Sequence, residues 1–536
     1  MTAERRERIA AFVVTALVFI AILLPELHYV PIWDGRVYAN CAIEAATNGI
    51  AGLSMESLRC AGHPSQGYVV FLALSQLLRF GDIASLHLMN IALGLVALAS
   101  IRVVLARLIP DPARARALDL VTFLCAVHPV VLSTLLQVNV DFGVYVFFFA
   151  TLAALMCGRF WLAAFTGLLL CFSKETGVLA YVLMVGLDVA FRMLPAGTPA
   201  ARARRALPLW MTSLPVVLFG VHVLWWNATH AQSAVWKHTW QTGTMDGFRF
   251  FDLSEPVFLS YAAGIFLLGF MWVVTAIIGA DLLAGGVRMA RRLPARAVPG
   301  ADPARLAYLS VLTVMLTYLL TSFRTWSNLR YFALLYPLLV MLAFAAMLRL
   351  GVRWRLRTVA LLAIGALFMV SVYRSWDPVS RAVYGTFSIG QRDMYRMTSI
   401  TKEFAGPGRD ELVYNLQFTG YHHVQNALFR TLQPTDSTVF ATSRLARWNI
   451  WSQLDAFTRE RTMRQEEVIV PRYSDDVDVL ASPKHPRDVW FLEFSNAPDH
   501  DSSLASLGRL YREVGVARSI ARGHLLIAHH LELIAP

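Results

Sequence analysis

The sequence predicts a mainly α, polytopic membrane protein followed by a soluble α/β unit. Three observations carry this: recurrent apolar runs of about twenty residues, a low charge content, and arginines gathered in alternate loops. Of 536 residues, 56% are hydrophobic and 16% charged, against roughly 25% charged in soluble proteins. The mean hydropathy is +0.51. Each apolar run is long enough to cross a hydrocarbon layer of about 30 Å. Beyond Arg374 such runs stop, which divides the chain into a membrane part (1–373) and a soluble part (374–536).

The net charge of +12 does not indicate nucleic acid, because the arginines lie in short loops where membrane topology accounts for them. The basic start (Arg5, Arg6, Arg8) runs into an apolar stretch ending at Pro25 and Tyr29 with no small-residue cleavage site. That pattern describes a retained first span.

Apolar segments fall at 9–30, 66–80, 84–106, 118–137, 142–157, 160–172, 175–193, 207–226, 256–280, 306–322, 330–348 and 358–373. If 66–80 spanned, the loop with Arg107, Arg114 and Arg116 would lie outside, against the positive-inside rule. With 66–80 lying along the outer surface, every Arg-rich connection shares one side: the N-terminus, Arg107/Arg114/Arg116, Arg202/Arg204/Arg205, Arg288/Arg291/Arg292/Arg296 and Arg353/Arg355/Arg357. Eleven spans follow, with the N-terminus inside and the C-terminal unit outside. Segment 160–172 is the shortest of them.

This topology places Asp34, Glu44, His63, Asp141, Lys174, Glu175, Arg324 and Arg330 at outer span ends or in outer loops. Ionisable groups near membrane depth are expensive and face a cavity or pathway. Asp34, beside Trp33 and Tyr38, suits a general base on an acceptor hydroxyl; on spacing alone a helix N-cap before 37–47 is the simpler reading. Asp141, in QVNVDFGVY, is open to the same two readings. Lys174 offers a compact charge to a phosphate, or else snorkels beside its neighbour Glu175. Arg324 and Arg330, with Trp326 and Tyr331, suit bidentate contacts to a phosphate or an interfacial anchor.

In their order, Trp33-Asp34, His63-Pro64, Phe80-Gly81, Asp141, Lys174-Glu175-Thr176-Gly177 and Arg330-Tyr331 resemble the GT-C superfamily of integral-membrane glycosyltransferases. The protein O-mannosyltransferase and aminoarabinose-transferase branch is the nearest in pattern, and the resemblance covers about residues 9–350. It implies a polyprenyl-phosphate-linked sugar as donor and a lipid, glycan or protein hydroxyl as acceptor. It also implies Asp34 as catalytic base, Asp141 as a second active-site carboxylate, and Lys174 and Arg330 as donor-phosphate contacts. Glu44, His63, Glu175, Arg324 and Tyr331 join them as substrate-binding candidates, and 66–80 becomes a juxtamembrane helix. A single displacement inverts the anomeric centre. Branches of the family differ in metal dependence. Here Gly35 follows Asp34 where many members carry Asp-Glu, which weakens metal binding by paired carboxylates, so no cofactor is expected.

Cys125, Cys157 and Cys171 lie in apolar spans and read as small buried side chains. Cys41 and Cys60 share the first outer loop, where an oxidising compartment favours a disulfide worth about 3 kcal/mol. In the soluble part ELVYNLQF, EEVIVPRY, DVWFLEFS and HLLIAHHLEL read as strands, and HHVQNALFR and SSLASLGRLYREVG as helices. The pairs His422-His423 and His529-His530 lack a third ligand at metal spacing. The Asn227-Ala228-Thr229 sequon bears only on a secreted eukaryotic setting; the Arg-Ala loops suit a bacterial inner membrane, with the soluble part in the periplasm. A transporter or lipid flippase is the alternative, but it predicts inverted repeats and charges at the midplane. A non-catalytic assembly subunit is the other, and it would tolerate Asp34→Asn.

Overall fold

The computed structural model describes residues 3–193, 209–230, 264–321 and 329–373, apart from 30, 32–33, 61–62, 80, 112–113 and 295. In the C-terminal part it describes 386–389, 392–395, 438–442, 472–493 and 500–534 apart from 522–523, with a few isolated positions besides. The first part is helical: α1 Ala3–Leu23, α2 Asp34–Ala46, α3 Gln66–Leu78, α4 Ile83–Leu108, α5 Ala115–Ala126, α6 Pro129–Leu136 and α7 Val140–Met156. It continues with α8 Phe160–Cys171, α9 Glu175–Met193, α10 Leu209–His230, α11 Met271–Ala290, α12 Pro303–Thr321, α13 Leu335–Arg349 and α14 Trp354–Tyr373. Among the described residues five helices have the length and composition to cross a membrane, or six if the bent pair α5–α6 is one span. Helices α7, α8 and α13 and the apolar part of α10 are shorter. The eleven-span count rests on these four shorter helices and on α9 crossing as well.

The helix α7 lies at the centre of the bundle, and all of its residues are buried. Its sequence, VDFGVYVFFFATLAALM, is apolar all round, as a helix enclosed by others must be. Against it pack α4 and α8. Helix α3 has 13 residues, about 20 Å of rise, too short for the hydrocarbon core. It lies among α2, α4, α7 and α8. Gly67 permits one of these contacts: its N–H donates to the Phe172 carbonyl at 2.7 Å, and a Cβ there would sit 2.2 Å from the Leu169 carbonyl oxygen.

Two expected spans differ in detail. The run 118–137 is two helices bent by 56°, because Pro129 lacks the N–H and its ring obstructs the preceding turn. Pro129 opens α6 with His128 as N-cap, and the buried His128 ring stacks on Tyr336 at 4.0 Å. Among the described residues the run 256–280 is broken before α11, which covers Met271–Ala290. Gly269 and Phe270 both adopt left-handed backbone (φ 60° and 66°), and this kink sets the start of α11 at Met271.

The C-terminal part forms β1 Thr386–Ile389, β2 Arg392–Tyr395, β3 Thr438–Thr442, β4 Arg472–Asp475, α15 Asp476–Ala481, β5 Asp488–Glu493, α16 His500–Leu507, β6 Tyr511–Ala521 and β7 His524–Leu533. β1 and β2 form a separate antiparallel pair. The larger sheet has the order β4-β3-β5-β7-β6, with β3 parallel to β4 and β5 and the last two strands antiparallel. Its own core includes Ala441, Val489, Phe491, Leu507 and Leu531. DVWFLE and HLLIAHHLEL are strands as read. The helix read over 502–515 ends at Leu507; YREVGVARSIA instead forms β6 and pairs with β7. Alternating Val514, Val516 and Ile520 suit a strand, and the hairpin partner overrides the local helical pattern. Of EEVIVPRY only Arg472 and Tyr473 belong to the described residues, as the start of β4; ELVYNLQF lies outside them, as do His422 and His423. His529 pairs with Glu513 at 2.7 Å, and His530 with Asp488 at 2.5 Å.

Candidate active site

Four helix starts bring the outer polar residues together. Asp34 opens α2, Asp141 lies in the first turn of α7, Glu175 opens α9, and Arg330 lies in a 3-10 turn, Leu329–Phe332, just before α13. Arg330 is shared: its Nη2 donates to Asp34 Oδ2, and its Nε lies 3.3 Å from Asp141 Oδ2. Lys174 Nζ donates to Asp141 Oδ1 at 2.8 Å. The Lys174 ammonium also stands 4.2 Å over the Tyr331 ring, a cation–π contact. Alongside, His63 Nδ1 donates to the Glu175 carboxylate at 3.1 and 3.2 Å.

Exposure separates the two aspartates. The side chains of Asp141, Arg330 and Lys174 are 5%, 7% and 10% exposed, whereas Asp34 is 53% exposed. Of the two, it is Asp34 whose carboxylate a hydroxyl can approach from outside. Burial opposes its ionisation, but Arg330 and then Lys174 outweigh that effect and hold the Asp34 carboxyl below the usual carboxylate range. Tyr38, one turn along α2, is buried, and burial followed by the charges of Asp34 and Asp141 pushes its phenol well above the ordinary value. It stays a hydroxyl donor.

The backbone explains why these groups meet. A Cβ at Gly35 would stand 1.7 Å from the Gln137 carbonyl oxygen. The glycine therefore lets the start of α2 press against the α6–α7 connection, and no carboxylate fits at position 35. In that connection Val138 takes a left-handed φ of 53°, costly for a β-branched residue. Asn139 follows as N-cap of α7, its side chain accepting from the Asp141 N–H at 3.1 Å. Asp141 is thus relieved of capping, and its carboxylate is given to the two cations.

The N-cap reading of Asp141 is corrected accordingly: Asn139 caps the helix. Lys174 is paired with Asp141, and its neighbour Glu175 with His63. Glu44 lies exposed on α2 and makes no ion pair with the cluster among the described residues. Arg324, like Trp33 and Trp326, lies outside the described residues. Cys41 and Cys60 form a disulfide with Cα atoms 6.2 Å apart, tying α2 to the segment that leads to His63.

A second polar group beside Glu175 escaped sequence reading. Arg59 lies 4.1 Å over the Trp226 ring, and the His222 Nε2 receives Gln66 at 3.3 Å and Arg59 at 3.5 Å. The only signal was His222 inside the apolar run of α10.

The chain matches no protein-family model, nor any characterised protein by sequence. In fold it is similar to the crystal structure of ArnT from Cupriavidus metallidurans bound to undecaprenyl phosphate: TM-score 0.50, 12% identity, 96% of this chain and 97% of that one. The fold is the GT-C fold. The apo form of the same ArnT has a TM-score of 0.49 at 12% identity, covering 96% of this chain and 97% of that one. An oligosaccharyltransferase from Archaeoglobus fulgidus has a TM-score of 0.42 at 12% identity, covering 87% of this chain and 64% of that one. The Asp34–Asp141–Lys174–Arg330 cluster lies within the helical part of this fold, and α3, over the run 66–80, has 13 residues.

Proposed function

We propose that this chain is a glycosyltransferase that moves a sugar from a polyprenyl-phosphate donor to an acceptor hydroxyl at the outer face of the membrane, with inversion. The observation that carries the reading is the sharing of Arg330 between a half-exposed Asp34 and a buried Asp141 that also holds Lys174. The ArnT structure of similar fold contains undecaprenyl phosphate, which supports a polyprenyl phosphate here. The N-terminus lies in the cytoplasm of a bacterial inner membrane, and 374–536 form a periplasmic domain.

Asp34 takes the acceptor proton while the hydroxyl oxygen attacks the anomeric carbon and the phosphate leaves with the bonding pair. Lys174 and Arg330 stabilise the charge that grows on that phosphate, the preorganised electrostatic help that is usually the largest part of catalysis. The first turns of α2, α7 and α9 carry residues of this cluster, so the positive dipole ends of these helices lie beside it. A carboxylate held low by Arg330 is a weak base. An arriving phosphate draws Arg330 away, so Asp34 gains basicity only once the donor is bound. The remaining groups do not suit a metal ion, since both aspartates face cations and position 35 has no room for another carboxylate.

The test uses the full chain in nanodiscs with a polyprenyl-phosphate sugar. Release of free polyprenyl phosphate by Asp34→Asn should be slower by about 10²–10⁴-fold, the usual contribution of a general base. Binding of polyprenyl phosphate should stay within a few-fold. Undiminished release refutes the role of Asp34; lipid translocated with its sugar intact refutes the transferase.

A further inference from the structure

A cavity of about 820 Å³ opens between α11, the start of α12 and the end of α13. Its walls include Arg288, Arg296, Arg349 and Asp281 together with Leu282, Met289 and Leu306. It lies at the end of the bundle remote from the Asp34 cluster. The α13 helix leaves Arg330 and reaches Arg349 after fifteen residues, about 22 Å. The nineteen residues of α12 run about 28 Å in the opposite sense, so Pro303 and Leu306 also stand far from the cluster.

The charges in this cavity are unequal. Asp281, buried, accepts from Arg349 Nη1 at 2.5 Å, which settles that pair. Arg288 feels the Asp281 carboxylate at longer range, but neither Arg288 nor Arg296 makes a hydrogen bond or ion pair with an acid among the described residues, leaving two guanidiniums able to meet an outside anion. Arg296 lies along the backbone of Gly351, its Nη2 2.6 Å from where a Cβ would be. The guanidinium therefore lies against the turn that follows α13, and Arg296 lines the cavity. The floor is a notch in α11: Gly285 and Gly286 have open space within 4 Å of their missing Cβ positions. Around it Leu282, Met289 and Leu293 are exposed, on a helix apolar and long enough to face lipid.

Two guanidiniums without a hydrogen-bonded acid among the described residues, above an apolar notch at a membrane boundary, match one molecule with an anionic head and aliphatic chains. We propose that this cavity is a binding site for an anionic glycerophospholipid of the leaflet opposite the active site. Its phosphate is held by Arg288 and Arg296, and one acyl chain lies over Gly285 and Gly286. A soluble phosphate would use the same two arginines but gain nothing from the apolar floor. The inference does not depend on the transferase reading.

Native mass spectrometry of the full-length protein, offered equal phosphatidylglycerol and phosphatidylcholine in neutral detergent, tests it. Phosphatidylglycerol should be retained at least tenfold better. The double change Arg288→Gln with Arg296→Gln should bring the ratio near one. Gly286→Leu, which favours the helix and fills the notch without altering charge, should reduce phosphatidylglycerol retention at least fivefold at unchanged melting temperature. Equal retention of the two lipids, indifference to Gly286→Leu, or displacement of the lipid by inorganic phosphate alone would each overturn the proposal.

Discussion

Two buried ionic sites in the helical part are alike in chemistry and different in construction. Arg102 of α4 and Asp119 of α5 form an ion pair with side chains 16% and 6% exposed. They lie 17 residues apart on successive helices, and the pair fastens one hairpin. The Asp34–Arg330–Asp141–Lys174 cluster is as deeply buried on three of its members, but it draws on positions 34, 141, 174 and 330. It also has one member open to the outside, a cation over Tyr331, a steric demand for glycine at 35 and an unfavourable backbone at Val138. A pair that only holds helices together needs none of these features. Burial of charge alone does not mark a site; convergence of distant elements with one exposed group does.

The sharpest way to break this comparison is to remove the cation from each site. Arg330→Met and Arg102→Met should both destabilise, by up to about 3–5 kcal/mol as for a broken buried ion pair, and Arg330→Met by less than that, because Asp141 keeps Lys174 and Asp34 is half-exposed. Activity per folded molecule should collapse only for Arg330→Met, which thermal unfolding and turnover measured on the same samples will check. Equal activity in both would make the cluster structural. Next in size is the disulfide. Cys41→Ser with Cys60→Ser should cost about 3 kcal/mol in the chain-entropy estimate. It should also raise the KM for donor more than it lowers kcat, since it loosens the segment carrying His63 and leaves Asp34 in place.

Smaller still is Asn139→Ala, which should cost about 1 kcal/mol as a lost N-cap and lower turnover by pulling Asp141 back toward capping. Asn139→Asp or Asn139→Ser, which also cap, should recover the stability. The smallest effect is that of pH. The Asp34 carboxyl is held low, so its contribution to stability is fully present above the unfolded value of about 3.9 and fades as pH falls through the lower folded value. The stability gap between wild type and Asp34→Asn should therefore persist at neutral pH and close on strong acidification. Asp34 is half-exposed, so the gap is small. A gap that widened in acid would contradict the ion pair.

Several of these features were legible in the sequence. Asp34, Asp141, Lys174 and Arg330 interrupt or bound apolar runs, and the arginine asymmetry set 66–80 apart from the spans. Pro129 and the Gly269-Phe270 turn were visible as residues, but how they would divide or interrupt a helix depended on neighbours such as Tyr336. The strand β6 was hidden because YREVG satisfies a helical pattern until β7 pairs with it. Arg59, Gln66 and His222 come from three distant places, and only His222 was unusual in its own segment.

The sequence by itself determined that the chain is a bundle of apolar helices with a mixed unit after it, since periodicity and charge distribution are local properties of the chain. Which charge answers which was decided only by tertiary structure. Lys174 stands next to Glu175 along the chain, yet it turns to Asp141, and Arg330 reaches back to Asp34. The physical reason is that an ion pair is selected by distance and burial, and both depend on how helices far apart in sequence are packed.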